Sequence, residues 1–95
     1  MAAYVIVDVI VNDPEGFAPY REMAPATVAA YDGKYLARGG ALTPLEGGWD
    51  PLRISVLEFP SVERARAWWD SAEYAEAKAI RQRTTDTKMI IVEGI

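Results

Sequence analysis

Three observations point to an α+β domain with the element order β-α-β-β-α-β. Four short runs rich in β-branched and aromatic residues stand apart along the chain: "AYVIVDVIV", "KYLARGG", "RISVLEF" and "TKMIIVEG". Two longer stretches with helical spacing separate the first from the second and the third from the fourth. Glycine and proline pairs between the second and third runs mark a hairpin with a long loop. That order is the ferredoxin-like arrangement, two split βαβ units that give a four-stranded antiparallel sheet with the helices on one side.

Each element follows from its residues. Residues 3–11 form a strand with both faces apolar. Val5, Val7, Val9 and Val11 lie on one face, and Tyr4, Ile6, Asp8 and Ile10 on the other. Asp13 suits a helix N-cap and Pro14 the first helical position. Phe17, Tyr20, Ala24, Val28 and Tyr31 recur at three or four, so a helix spans about 14–31. Pro25 removes an amide donor inside that pattern, which predicts a kink or break near Ala24. Asp32–Gly33 stops the helix. The second strand takes roughly 34–39 and the third 53–59. Ser61 caps a helix running to about Asp70. Ser71 caps a continuation made of strong helix formers, to about 83. The last strand follows from Thr87.

With 95 residues the chain is one domain, and its surface-to-volume ratio makes it marginal alone. It has no cysteine and no histidine. Disulfides and thiolate chemistry are therefore excluded, and zinc, haem and Ser-His-Asp chemistry lose their usual residues, so neither a metal nor a cofactor is expected. A net charge of −4 without a basic block argues against nucleic acid. No apolar run is long enough to span a bilayer, and "MAAYVIVDVIVND" reads as a strand rather than a leader. A cytoplasmic location is expected by default.

Helices cover one face of such a sheet, yet the other face here is also apolar. The simplest remedy is a second copy packed sheet against sheet about a two-fold axis, forming a dimeric α/β barrel. Strict alternation places Asp8, Arg38 and Glu58 together on that face. They read either as a structural ion network or as the polar floor of a ligand cleft. Arg38-Gly39-Gly40 ends a strand instead of opening a helix, so it is not a phosphate loop. The glycines serve a bulge or close backbone approach, or they admit a ligand whose carboxylate Arg38 clamps. Trp49 packs on its own hairpin or closes a pocket. One of Trp68 and Trp69 packs inward. Tyr20 is a core tyrosine or a pocket hydrogen-bonder. Arg64, Arg66, Lys78, Arg81 and Arg83 read as a solvated face, with an anion site at Arg81 and Arg83 as the alternative.

The segments "YLARGG", "LEGGW", "LEFPSVERARAWWDSAEYAEAKAIR" and "IIVEG", in that order, resemble the uncharacterised family called domain of unknown function 1330. The helix "YREMAPATVAAYDGKY" fits its pattern too. Arg38, Gly39, Gly40, Glu46, Gly47, Glu58, Phe59, Pro60, Ser61 and Tyr74 match recurrent positions of the family. Trp69 departs from a common tyrosine and Ala72 from a common proline. The resemblance implies the dimeric α/β-barrel superfamily, which includes small monooxygenases and isomerases, and it assigns no reaction. Two functions stay open. One is a homodimeric enzyme or binding protein that takes a compact carboxylated or aromatic metabolite between helices and sheet. There Tyr20, Arg38, Gly39, Gly40 and Trp49 would bind, and Asp8 or Glu58 would accept a proton. The other is a non-catalytic structural or regulatory dimerisation module.

Overall fold

A computed structural model describes all residues, 1–95. Its elements are β1 (Ala3–Val11), α1 (Pro14–Ala30), β2 (Lys34–Arg38), β3 (Ile54–Phe59), α2 (Val62–Asp70), α3 (Ala72–Thr84) and β4 (Thr85–Glu93). The sheet is antiparallel in the order β2-β3-β1-β4, as a ferredoxin-like α+β fold requires. Within one chain this sheet is open, with β2 and β4 as free edges, so the chain alone forms no barrel. No helix is long and apolar enough to cross a membrane.

The helices cover one face only. Val5, Val7 and Val9 of β1 and Leu57 and Phe59 of β3 point into the core, where Trp68, Tyr74, Ala77, Ala65 and Val28 meet them. Trp68 is the inward tryptophan. Its ring lies 4.2 Å from that of Tyr74 and 5.4 Å from that of Phe59, and its indole N–H donates to the Thr27 hydroxyl at 3.1 Å. Trp69 lies half-buried under the Lys78 ammonium, 3.9 Å from its ring centre. Gly33 lets the chain turn against this core, since a Cβ there would lie 2.5 Å from a Phe59 ring carbon.

Helix caps form as the residue types dictate. Asp13 accepts from the Gly16 amide at 3.1 Å, Ser61 from Arg64 at 3.0 Å and Ser71 from Tyr74 at 3.1 Å. Of the expected kink or break near Ala24, the break does not occur: α1 continues as one helix through Pro25. Proline at 25 leaves the Arg21 carbonyl without its intrahelical donor. The Arg38 guanidinium supplies a donor in its place, at 3.2 Å from that oxygen. Burial of Phe17, Ala24 and Val28 along one stripe holds the helix together on either side.

The opposite sheet face carries no helix. Cross-strand pairing sets its rows: Val56–Ile6–Ile90, Glu58–Tyr4–Val92 and Ile54–Asp8–Lys88. Ile10, Leu36, Ile90 and Val92 are exposed large apolar side chains along this side or its edge.

Candidate functional site

A cleft opens between α1, α3 and the inner face of the sheet, with a cavity volume of about 40 Å³. Its floor is one cross-strand row. Arg38 pairs with Ser55, Ser55 with Val7, and Val7 with Met89, so the row crosses all four strands from edge to edge. Val9 and Leu57 flank that row, and Phe17, Tyr20, Tyr35 and Trp68 complete the walls.

Four arginines line this cleft: Arg21 from α1, Arg38 from β2, Arg53 from the strand-entry segment before β3, and Arg81 from α3. No aspartate or glutamate lines it. None of the four has a carboxylate within ion-pair distance; the three ion pairs of the chain use Lys34, Arg64 and Arg66. The chain has an excess of acidic residues, yet these four arginines gather where no carboxylate pairs with them. Burial, followed by the neighbouring charges of Arg21 and Arg38, lowers the pKa of Arg53, the sign of like charges held together.

The arginines are held by different means. Arg38 stacks over the Tyr35 ring at 4.9 Å while donating to the Arg21 carbonyl. Arg21 lies over the Phe17 ring at 5.5 Å. Gly39 adopts φ +66°, and a Cβ there would come within 3.0 Å of the Arg53 guanidinium carbon, so this glycine makes room for Arg53. Arg81 is only 5% exposed, and its Nε donates to the Tyr74 hydroxyl at 3.3 Å. Tyr74 in turn shares a 2.8 Å hydrogen bond with the Tyr20 hydroxyl. Burial, then the proximity of Tyr74, pushes the Tyr20 phenol well above its ordinary pKa, so it stays protonated and acts as a hydrogen-bonding group.

The residues singled out from sequence divide between two faces. Tyr20 and Arg38 do line the cleft. Asp8 and Glu58 do not; both lie on the opposite face of the sheet. The anticipated Asp8–Arg38–Glu58 network is absent because β2 carries a register shift between Tyr35 and Ala37. The extra residue, Leu36, reverses the alternation, so Arg38 turns inward opposite Ser55. Glu58 pairs instead with Lys34, at 3.2 Å, and Asp8 lies across from Lys88. Gly39 borders the cleft through Arg53, whereas a Cβ on Gly40 would meet nothing within 4 Å. Trp49 is 61% exposed and is absent from the lining, so within one chain it does not lid the cleft. Arg81, read from sequence as part of a solvated face, is buried. Its position had a signal: Tyr74, Ala77, Arg81 and Thr84 form the buried stripe of α3 at helical spacing, and an arginine on such a stripe calls for an explanation. Arg21 and Arg53 carried no comparable signal.

A second, open groove of about 990 Å³ runs between α2 and β4 and meets the cleft at Trp68, Arg81 and Met89. Its charges balance, Arg66 and Arg81 against Glu63 and Asp86, so it has no preference for one sign.

Comparison with known proteins agrees with the fold. A family model described as "Domain of unknown function (DUF1330)" matches residues 2–95. Among solved structures, a protein of unknown function from Rhodopseudomonas palustris superposes with a TM-score of 0.80 at 19% identity, over 99% of this chain and 82% of that one. A dimeric ferredoxin-like protein of unknown function from Jannaschia sp. CCS1 gives 0.73 at 8% identity, covering 99% and 100%. SnoaB, a cofactor-independent oxygenase from Streptomyces nogalater, gives 0.70 at 9% identity, covering 99% and 93%. At these identities the likeness is one of fold. No curated protein matches the sequence. The family match spans nearly the whole chain, and the chain belongs to the DUF1330 family.

Proposed function

We propose that this member of the DUF1330 family is a homodimer that binds a small carboxylated metabolite in the cleft between its helices and its sheet. One observation carries the reading: four arginines line a partly apolar cleft that holds no carboxylate. Arg81 is buried and Arg53 half-buried, both without counter-charge, which is costly, and an anionic ligand offsets that cost; Arg21 and Arg38 are exposed and add charge at the mouth. Guanidinium groups fit carboxylates through paired N–H donors. Tyrosine and tryptophan walls suit a flat or apolar ligand body.

Dimerisation through the bare sheet face is supported by its apolar rows and by the dimeric ferredoxin-like neighbours from Jannaschia sp. CCS1 and Bacteroides fragilis. Two sheets packed face to face would together form the barrel that one chain lacks. The cleft lies on the helix side, so ligand binding and dimerisation use opposite faces. The purely structural reading needs Arg38 buried in bonds to carboxylates; it is exposed and bonds to a carbonyl. With Asp8 and Glu58 outside the cleft, the carboxylate bases a catalytic reading invoked are not in reach, and binding is the function the geometry supports.

The test is a thermal-shift and calorimetric screen of aromatic and aliphatic carboxylates against the protein and its Arg38→Ala variant. Binding to the parent, weakened in a variant that remains dimeric, supports the reading. Dissociation of the dimer in Arg38→Ala, or no binding of any carboxylate to the parent, contradicts it.

A further inference from the structure

The four arginines are not one group. Arg38 stands at the β2 end of the floor row Arg38–Ser55–Val7–Met89; it donates to the Arg21 carbonyl at 3.2 Å, and the Arg53 guanidinium lies against Gly39, the next residue. Arg81 stands at the other end. It lines the cleft beside Met89 of β4, where the cleft meets the open groove. Three steps of strand pairing separate the two ends, roughly 14 Å between the terminal Cα atoms of the row. Between them the surface is Val7, Leu57, Tyr20 and Trp68, with the small hydroxyl of Ser55 on the floor.

Arg81 is the more informative end. It is nineteen-twentieths buried, it makes one hydrogen bond through Nε, and that bond leads to a neutral phenol. Its two terminal amino groups have no protein acceptor within hydrogen-bond distance. No buried side-chain nitrogen or oxygen of the chain lacks a partner, so these two amino groups open to the solvent-accessible space of the cleft and groove, where they can meet a planar anion. The same holds, nearer to solvent, for the Arg53 group beside Gly39.

We infer that the ligand is a short molecule with an acidic group at each end and an apolar middle, a dicarboxylate lying along the floor row. One carboxylate would meet Arg38 with Arg21 and Arg53, and the other would meet Arg81 beside the Tyr74 and Tyr20 hydroxyls. This assignment rests on the anion-binding reading above and adds to it the number and placement of the charges. A singly charged acid would neutralise one end and leave the other cation bare. A compact dianion such as a phosphate monoester would place both charges at one end. The enclosed part of the cleft, about 40 Å³, is smaller than such a ligand, so its Arg81 end would extend into the adjoining open groove.

The experiment is a homologous series at fixed ionic strength. Dicarboxylates from succinate to suberate are compared by calorimetry with the monocarboxylates of matching length, and with inorganic phosphate and a phenyl phosphate probe. The expected result is an optimum at one chain length, with the best dicarboxylate binding at least about 10-fold more tightly than its monocarboxylate. In Arg81→Met that preference should vanish while monocarboxylates still bind at the Arg38 end. In Arg38→Gln the preference should vanish as well, with the residual site at Arg81. A flat length series, equal binding of mono- and dicarboxylates, or tighter binding of phosphate overturns the two-ended ligand and leaves the anion-binding reading standing. If no acid of any kind binds, both fall together. Should Arg81→Met not fold, the length series on the unaltered protein decides alone.

Discussion

Replacing Arg81 by methionine should leave the unliganded protein at least as stable while weakening its hold on anions. Methionine keeps the unbranched apolar stem and its packing against the core. The substitution removes a guanidinium that is 5% exposed and has no carboxylate partner. Exchanging buried ionic groups for apolar ones of similar volume gains about 1–4 kcal/mol where the charges were poorly compensated. Against this stands one lost hydrogen bond, from Nε to the Tyr74 hydroxyl at 3.3 Å, worth about 1 kcal/mol. Tyr74 retains its bond to Tyr20 at 2.8 Å, so no buried hydroxyl is orphaned. The net gain is about 0–3 kcal/mol, so at this chain length Tm should hold or rise by up to roughly 15 °C. The lost charged contact to a ligand costs about 1.5–3 kcal/mol, a 10- to 100-fold loss of affinity. Circular-dichroism melts with and without a bound carboxylate read both effects. A fall in the unliganded Tm equivalent to about 2 kcal/mol or more would show Arg81 to be a strut of the fold, and the reasoning from uncompensated charge would be wrong.

Three further outcomes follow from other parts of the molecule. Tyr20 has a raised pKa, so both folded and unfolded chains keep its proton below about pH 10, and stability does not change there on its account. Above that pH only the unfolded chain ionises it, so stability should fall as pH rises; Tyr20→Phe should blunt this alkaline loss in denaturant titrations. Gly33→Ala should cost about 1–3 kcal/mol by urea unfolding, because its Cβ would lie 2.5 Å from Phe59 and 2.8 Å from Val28. Ile6→Asp, at the centre of the bare sheet face, should leave a folded monomer in sedimentation velocity, and a dimer that survives it would place the interface elsewhere.

Much of the architecture could be read from residue types. The β-branched runs, the caps at Asp13, Ser61 and Ser71, and the alternation of Val5, Val7 and Val9 all specify local structure through short-range chemistry. The unbroken course of α1 could not be read, because the donor that replaces the Pro25 amide comes from Arg38 on another element. The same residue shows why the site was only half legible. Nothing in "KYLAR" marks Leu36 as the extra residue of a register shift, and one such residue moves Arg38 from the company of Glu58 to that of Ser55. Arg21, Arg53 and Arg81 belong to three different segments and converge only through the tertiary fold. Of these, Arg81 alone left a trace, as a charged member of an otherwise buried helical stripe.

The most direct measurement is of the arginines themselves. The chain has seven, and their side-chain Nε–H groups can be followed individually by 1H–15N NMR during titration with a short dicarboxylate such as glutarate. The account predicts saturable shifts at Arg21, Arg38, Arg53 and Arg81, with Arg64, Arg66 and Arg83 unmoved. Shifts spread evenly over all seven, or confined to the exposed three, would contradict it.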